Sequence, residues 1–201
     1  MKLLINEFIK DYKKKTTWLY FLLSFGIILL NSYFAKRQFE DGVDAVKILS
    51  GITVIAVGTA TVFSLIMLAN NLSQEYSKGT IKFLYTKPKS RSAILTAKII
   101  LAFINYIIFL VVGTVFDFVT KNYVFFKNKV GLNHLNDTIA EGYFGRTVAK
   151  QIIITNLADL AVFIFFVAMV VLVCVVFKTQ ILSLVLVMLS LLGTGLIQSL
   201  T

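Results

Sequence analysis

Two carboxylates stand inside otherwise oily stretches of this chain, Asp117 in FLVVGTVFDFVT and Asp159 in IIITNLADLAVF. Facing carboxylates in a membrane are the apparatus of an aspartyl protease, one acting as acid and one as base. Neither residue here carries a supporting motif. Metal ligation wants a cluster of His, Cys, Asp or Glu, and the single histidine, His134, has only Asp137 close by, so it reads as a solvated loop residue. A serine or cysteine nucleophile needs a neighbouring base, and the apolar stretches hold serines without a histidine or lysine to activate them. Cys174 stands alone, which excludes a disulfide or a thiolate metal site and suits a small packed hydrophobe. A P-loop requires G-x-x-x-x-G-K-[ST], and none of the eleven glycines is followed by lysine. If ATP drives this protein, another chain binds it.

What remains is polar chemistry in hydrocarbon. Ionisable groups there are costly and mark function by default. Asp159 is therefore a candidate for a substrate path or for helix packing, as are Asn105 and Asn156, which could bridge helices. Gly51, Gly58 and Gly113 would allow close helix approach.

The elements that position these residues follow from the spacing of charge. The chain is 58% hydrophobic over 201 residues, with a mean hydropathy of +0.84, against roughly 45–50% apolar in a soluble domain. Its few charges leave five gaps long enough for a bilayer, each needing about 20 apolar residues. The spans fall at 16–35, 48–71, 98–118, 154–177 and 180–200, with a loop at 72–97 and another at 119–153. All should be helical, because an open strand in lipid leaves its backbone groups without partners. The fold class is thus an all-α polytopic membrane bundle forming a single transmembrane domain. Residues 1–15 place Leu4, Phe8 and Tyr12 at helical spacing, with Lys2, Asn6, Lys10 and Lys13 mostly elsewhere, which predicts an interfacial amphipathic helix. In the 119–153 loop, a helix opening at Asn136 or Thr138 is expected, with Glu141 completing a capping box.

Orientation follows from Lys and Arg near the span ends. With a cytoplasmic N-terminus, segments 1–15, 78–98 and 178 hold twelve of these residues and the opposite side holds eight. The acids lean the other way, so the net asymmetry is larger. A formal charge of +10 is then positive-inside bias with attraction to anionic lipid, and no recognition module points to nucleic acid. Five spans leave the C-terminus outside, an odd count that suggests a further span lies beyond this sequence.

One stretch resists the bland account. NNLSQEYSKGTIKFLYTKPKSRSAILTAK, residues 70–98, interrupts two apolar runs and contains the only proline. Gly79 suits the end of one helix, Thr80 can cap a short new one, and Pro88 closes it. That short helix would present Phe83, Leu84 and Tyr85 inside a rim of Lys82, Lys87, Lys89 and Arg91.

The order Glu75, Gly79-Thr80, Phe83-Leu84, Pro88, Ser90-Arg91 and then Lys98 entering the next span resembles the first cytoplasmic loop of type-2 ABC transporter permeases, with its pattern E-x-x-x-G-T-x-x-x-L-x-x-x-P-x-S-R. The resemblance implies six spans and a coupling helix at 79–88 that docks on a cytoplasmic ATPase. It also implies two ATPase copies, which would carry ATP and Mg, and a second permease, identical or homologous. By carry-over, Glu75 would orient the loop or pair with a basic group on the ATPase, Phe83 and Leu84 would fill the ATPase groove, and Lys87 and Arg91 would add rim charge around Gly79, Thr80 and Pro88. Small permeases of this kind in bacterial plasma membranes commonly export, or confer immunity to, peptides such as lantibiotics or amphipathic toxins. The alternatives are an ATP-independent immunity or scaffold protein and an intramembrane enzyme acting through Asp159.

Overall fold

Apolar residues this dense leave the backbone one option in lipid, which is to satisfy its own hydrogen bonds within helices. In a computed structural model, which describes residues 2–38, 45–77, 91–127, 129–139 and 145–177 together with Val185, six α-helices follow one another. They are α1 (Lys2–Tyr12), α2 (Lys15–Gln38), α3 (Ala45–Ser50), α4 (Ile52–Ser77), α5 (Arg91–Val119) and α6 (Val148–Phe177). Four apolar segments carried by these helices are long enough to cross a membrane: Lys15–Arg37, Ala45–Gln74, Ala93–Phe125 and Val148–Val176. The segment expected to span at 180–200 lies outside the described residues.

Several of these helices outrun the lengths set by charge spacing. Lys98 and Asp117 do not bound the third apolar segment but lie within it, because α5 starts at Arg91 and continues past Val119 into a π-helical turn at Thr120–Phe125. The α6 helix opens at Val148, so Asp159 sits three turns into it. The α3 and α4 helices meet at Gly51, whose N–H reaches the Lys47 carbonyl at 3.2 Å while its own carbonyl accepts from Val54 at 3.4 Å.

The chain divides into two compact units. The first comprises residues 1–17, 62–105 and 162–201. Its apolar centre includes Leu65, Leu68, Leu101, Phe163 and Phe166, and Phe103 meets Phe163 edge to face at 5.3 Å between ring centroids.

The second unit comprises residues 18–61 and 106–161. Phe21 stacks on Phe109 at 4.1 Å and Phe25 meets Phe116 at 4.5 Å, which holds α2 against α5. Gly113 lets α4 come closest. A Cβ there would lie 3.4 Å from the Ala56 Cβ and 3.5 Å from the Ile28 Cδ1, whereas Gly58 has nothing within 4 Å. Beyond the helices, Ile48, Leu49, Ile52, Phe126, Val130, Ile139 and Val148 form a small separate core.

Thr138 does not open a helix. It pairs with Thr147 in an isolated antiparallel bridge, and Asn136 ends a 3₁₀ turn at Leu132–Asn136. Ile139 N–H donates to the Arg146 carbonyl at 3.0 Å and Val148 N–H to that of Asp137 at 3.1 Å. Burying Ile139 against Leu49 and Val130 fixes this extended backbone, and Glu141, the other half of the expected capping box, lies outside the described residues.

Because overpacking a filled contact costs about 1–3 kcal/mol, Gly113→Leu should lower the thermal unfolding midpoint of the purified protein in detergent. Gly113→Ala should sit near the parent. Equal midpoints for the leucine variant and the parent would remove the close approach at Ala56.

Candidate functional site

Lys98 enters the apolar part of α5 with its side chain 1% exposed. An ammonium there needs oxygens, since burial without partners is prohibitive. It donates to the backbone carbonyl of Asn71 on α4 at 3.0 Å and to Glu7 Oε2 on α1 at 3.5 Å. Three helices thus share one charge.

A second cluster lies on the same face of α1. Asp11, 1% exposed, accepts from Lys14 Nζ at 2.9 Å and from Asn71 Nδ2 at 2.5 Å, while the Asn71 Oδ1 accepts from Lys14 Nζ at 2.6 Å. The triangle is closed, so each polar atom offsets the desolvation of another. Thr17 Oγ1 donates to the Asp11 carbonyl at 2.6 Å, satisfying a group freed where α1 ends. Tyr12, stacked on Phe8 at 4.4 Å, donates its hydroxyl to Asn105 Oδ1 on α5 at 3.2 Å. Burial, aided by the Asp11 charge, pushes the Tyr12 phenol up to about 12, so it stays a donor at any physiological pH.

The α1 helix therefore turns Glu7 and Asp11 toward α4 and α5, with Lys14 just past its end, and leaves Ile5 and Ile9 exposed, the apolar pair an interfacial helix would offer to lipid. The α4 and α5 helices are the two that flank residues 78–90.

The residues assigned to ATPase docking stand as follows. Glu75 belongs to the last turns of α4 and Arg91 opens α5. Gly79, Thr80, Phe83, Leu84, Lys87 and Pro88 lie outside the described residues. Of the polar candidates, Asn105 belongs to the first unit as the acceptor of Tyr12, whereas Asn156 and Asp159 belong to the second. In that second unit Asp117, fully buried, pairs with Lys121 at 2.9 Å and accepts from Ser32 Oγ at 3.1 Å. That is a structural ion pair with its donors supplied. His134 meets Asp137 at 2.7 Å on an exposed turn, and Cys174 is buried.

Charge counting missed Glu7, Asp11, Lys14, Asn71 and Lys98, because it treats every charge as a span boundary. The available signal was the spacing 7, 11, 14, which places two acids and a lysine on one helical face.

The fold is that of a polytopic α-helical membrane protein. Residues 3–193 match the family described as ABC-2 family transporter protein. The chain belongs to that family and is a membrane component of a transporter, and the family implies an ABC ATPase as partner. No curated protein and no solved structure matches it.

Removing one partner of a buried pair leaves a charge uncompensated at a cost of about 3 kcal/mol or more. Lys98→Met should lose that much stability in SDS unfolding titrations. Glu7→Gln, whose carboxylate is less buried, should lose less, and the double variant should fall short of the sum. Strict additivity would mean that the two groups do not interact.

Proposed function

We propose that this chain is the permease subunit of an ABC exporter in the bacterial plasma membrane, moving an amphipathic or peptide substrate out of the cell. ATP and Mg are held by a separate ATPase subunit, present in two copies, and a second permease, identical or homologous, completes the pathway. Docking falls to the coupling segment 79–88, with Phe83 and Leu84 in the ATPase groove, Lys87 and Arg91 at its rim, Glu75 orienting the loop, and Gly79, Thr80 and Pro88 shaping it.

The observation that carries this reading is the polar tie among α1, α4 and α5. Both helices that bracket 78–90 are bound to α1 through Lys98, Asn71 and Asn105. A push on the segment between them would bear on the adjoining ends of α4 and α5 and, through these bonds, on α1. Such coupling is a free energy, and it exists only if the ATPase contacts the loop differently in its two nucleotide states. The exposed Ile5 and Ile9 on α1 support an interfacial position for this helix at the inner leaflet, from which an amphipathic substrate would enter.

Gentle purification of the tagged chain from its native membrane, followed by mass spectrometry, tests this. A stoichiometric P-loop protein should accompany the chain and be lost from a Phe83→Ala/Leu84→Ala variant that retains its folded gel-filtration profile. Recovery without any nucleotide-binding partner would favour the ATP-independent immunity or scaffold protein instead.

A further inference from the structure

The α6 helix is the most apolar of the spanning segments, with a mean hydropathy of 3.0. Its first three turns nevertheless carry Gln151, Thr155, Asn156 and Asp159 at spacings that share one face. Gln151 Nε2 donates to Thr155 Oγ1 at 3.4 Å within the helix. The Oε1 of Gln151 and the Oδ1 of Asn156 are buried and accept no hydrogen bond from the described residues. Asp159 is half-buried and forms no ion pair with a described residue. The carboxylate and the two amide oxygens thus have no donor or counter-charge among the described residues.

The other buried carboxylates are supplied. Asp117 has Lys121 and Ser32, and Asp11 has Lys14 and Asn71. Among the described residues no lysine or arginine pairs with Asp159. Segments 39–44, 140–144 and 179–201 contain no lysine or arginine. The remaining undescribed lysines, Lys178 and those within 78–90, fall on the side that positive-inside counting assigns to the cytoplasm. A lone carboxylate and two lone amide oxygens in low dielectric are costly unless something brings N–H groups to them.

Building on the permease reading, we infer that this face of α6 binds the primary ammonium or guanidinium group of an amphiphile carried through the membrane. Asp159 takes the charge, and the side-chain carbonyls of Asn156 and Gln151 accept the remaining N–H groups. The substrate class is thereby narrowed to cationic amphiphiles. An acid here selects against anionic ones, because like charges in low dielectric repel strongly.

The test is equilibrium binding of radiolabelled dodecylammonium to the full chain in phosphatidylcholine nanodiscs, with empty nanodiscs as the partition background and dodecyl sulfate as the anionic control. Saturable binding of dodecylammonium, absent for dodecyl sulfate, is expected. Asp159→Asn should weaken it at least about tenfold, the scale of a hydrogen bond to a charged group. Asp159→Glu should retain most of it, which guards against a variant that merely misfolds, and Asn156→Leu should weaken it less. Competition by added phosphatidylethanolamine would identify the ammonium as a lipid headgroup; indifference to that lipid would point to a transported amphiphile. No saturable binding, or equal binding by Asp159→Asn, overturns the inference. Binding here requires neither nucleotide nor ATPase, so its failure with a P-loop partner still co-purifying removes the cation site alone. Success without such a partner removes the permease reading alone.

Discussion

A buried ammonium cannot be left without oxygen, and Lys98 obliges the first unit of this protein to arrange itself accordingly. Its side chain is buried, as are Leu101 and Ala102 on the next turn of α5, and its head finds the Asn71 carbonyl and Glu7. That requirement recruits α1. Without Glu7 and Asp11 presented by that helix, Lys98 and Asn71 would each lose charge-bearing partners in a setting where no water replaces them. The N-terminal helix is therefore a structural member of the bundle as well as an interfacial one.

The same logic explains why the helices outrun their expected bounds. A rule that ends a span at each charge assumes that charges are solvated. Lys98 and Asp117 break the assumption, because each finds its counter-charge inside the protein: Glu7 for one, Lys121 in the π-helical turn that follows α5 for the other. Once paired, both become compatible with a longer helix. Span existence was legible because about twenty uncharged residues admit little else. Ends were not legible, since they depend on pairs made between distant parts of the chain.

The short connection around Thr138 failed for a different reason. Thr followed by Glu three residues on is a valid helix-opening signal locally, but the local preference amounts to about 1 kcal/mol. Burial of Ile139, Val130 and Val148 in one small core outweighs it, at roughly 1.5–3 kcal/mol for each large side chain. By contrast, Gly113 was legible as a place of close approach, whereas Gly58, written with the same residue type, touches nothing. Only the partner across the interface distinguishes the two.

The candidate polar residues divide along a line the sequence could not draw. Asn105, Asn156 and Asp159 look alike as polar interruptions of apolar helices. Asn105 has a specific donor in Tyr12 and belongs with the ties that join α1 to α4 and α5. The Asn156 carbonyl has no donor among the described residues, and Asp159 has no ion pair among them. A structural polar group in lipid is one whose partner is built into the fold, because an unmet one costs stability without return. A transport path needs the opposite, acceptors kept short of donors so that a passing ligand completes them, and weakly enough that it leaves again. Stability and transport thus make contrary demands on the same residue types. In this chain the groups whose partners are built into the fold, Lys98 with Glu7 and Asp117 with Lys121, are different residues from the buried amide oxygens of α6 that lack a donor among the described residues.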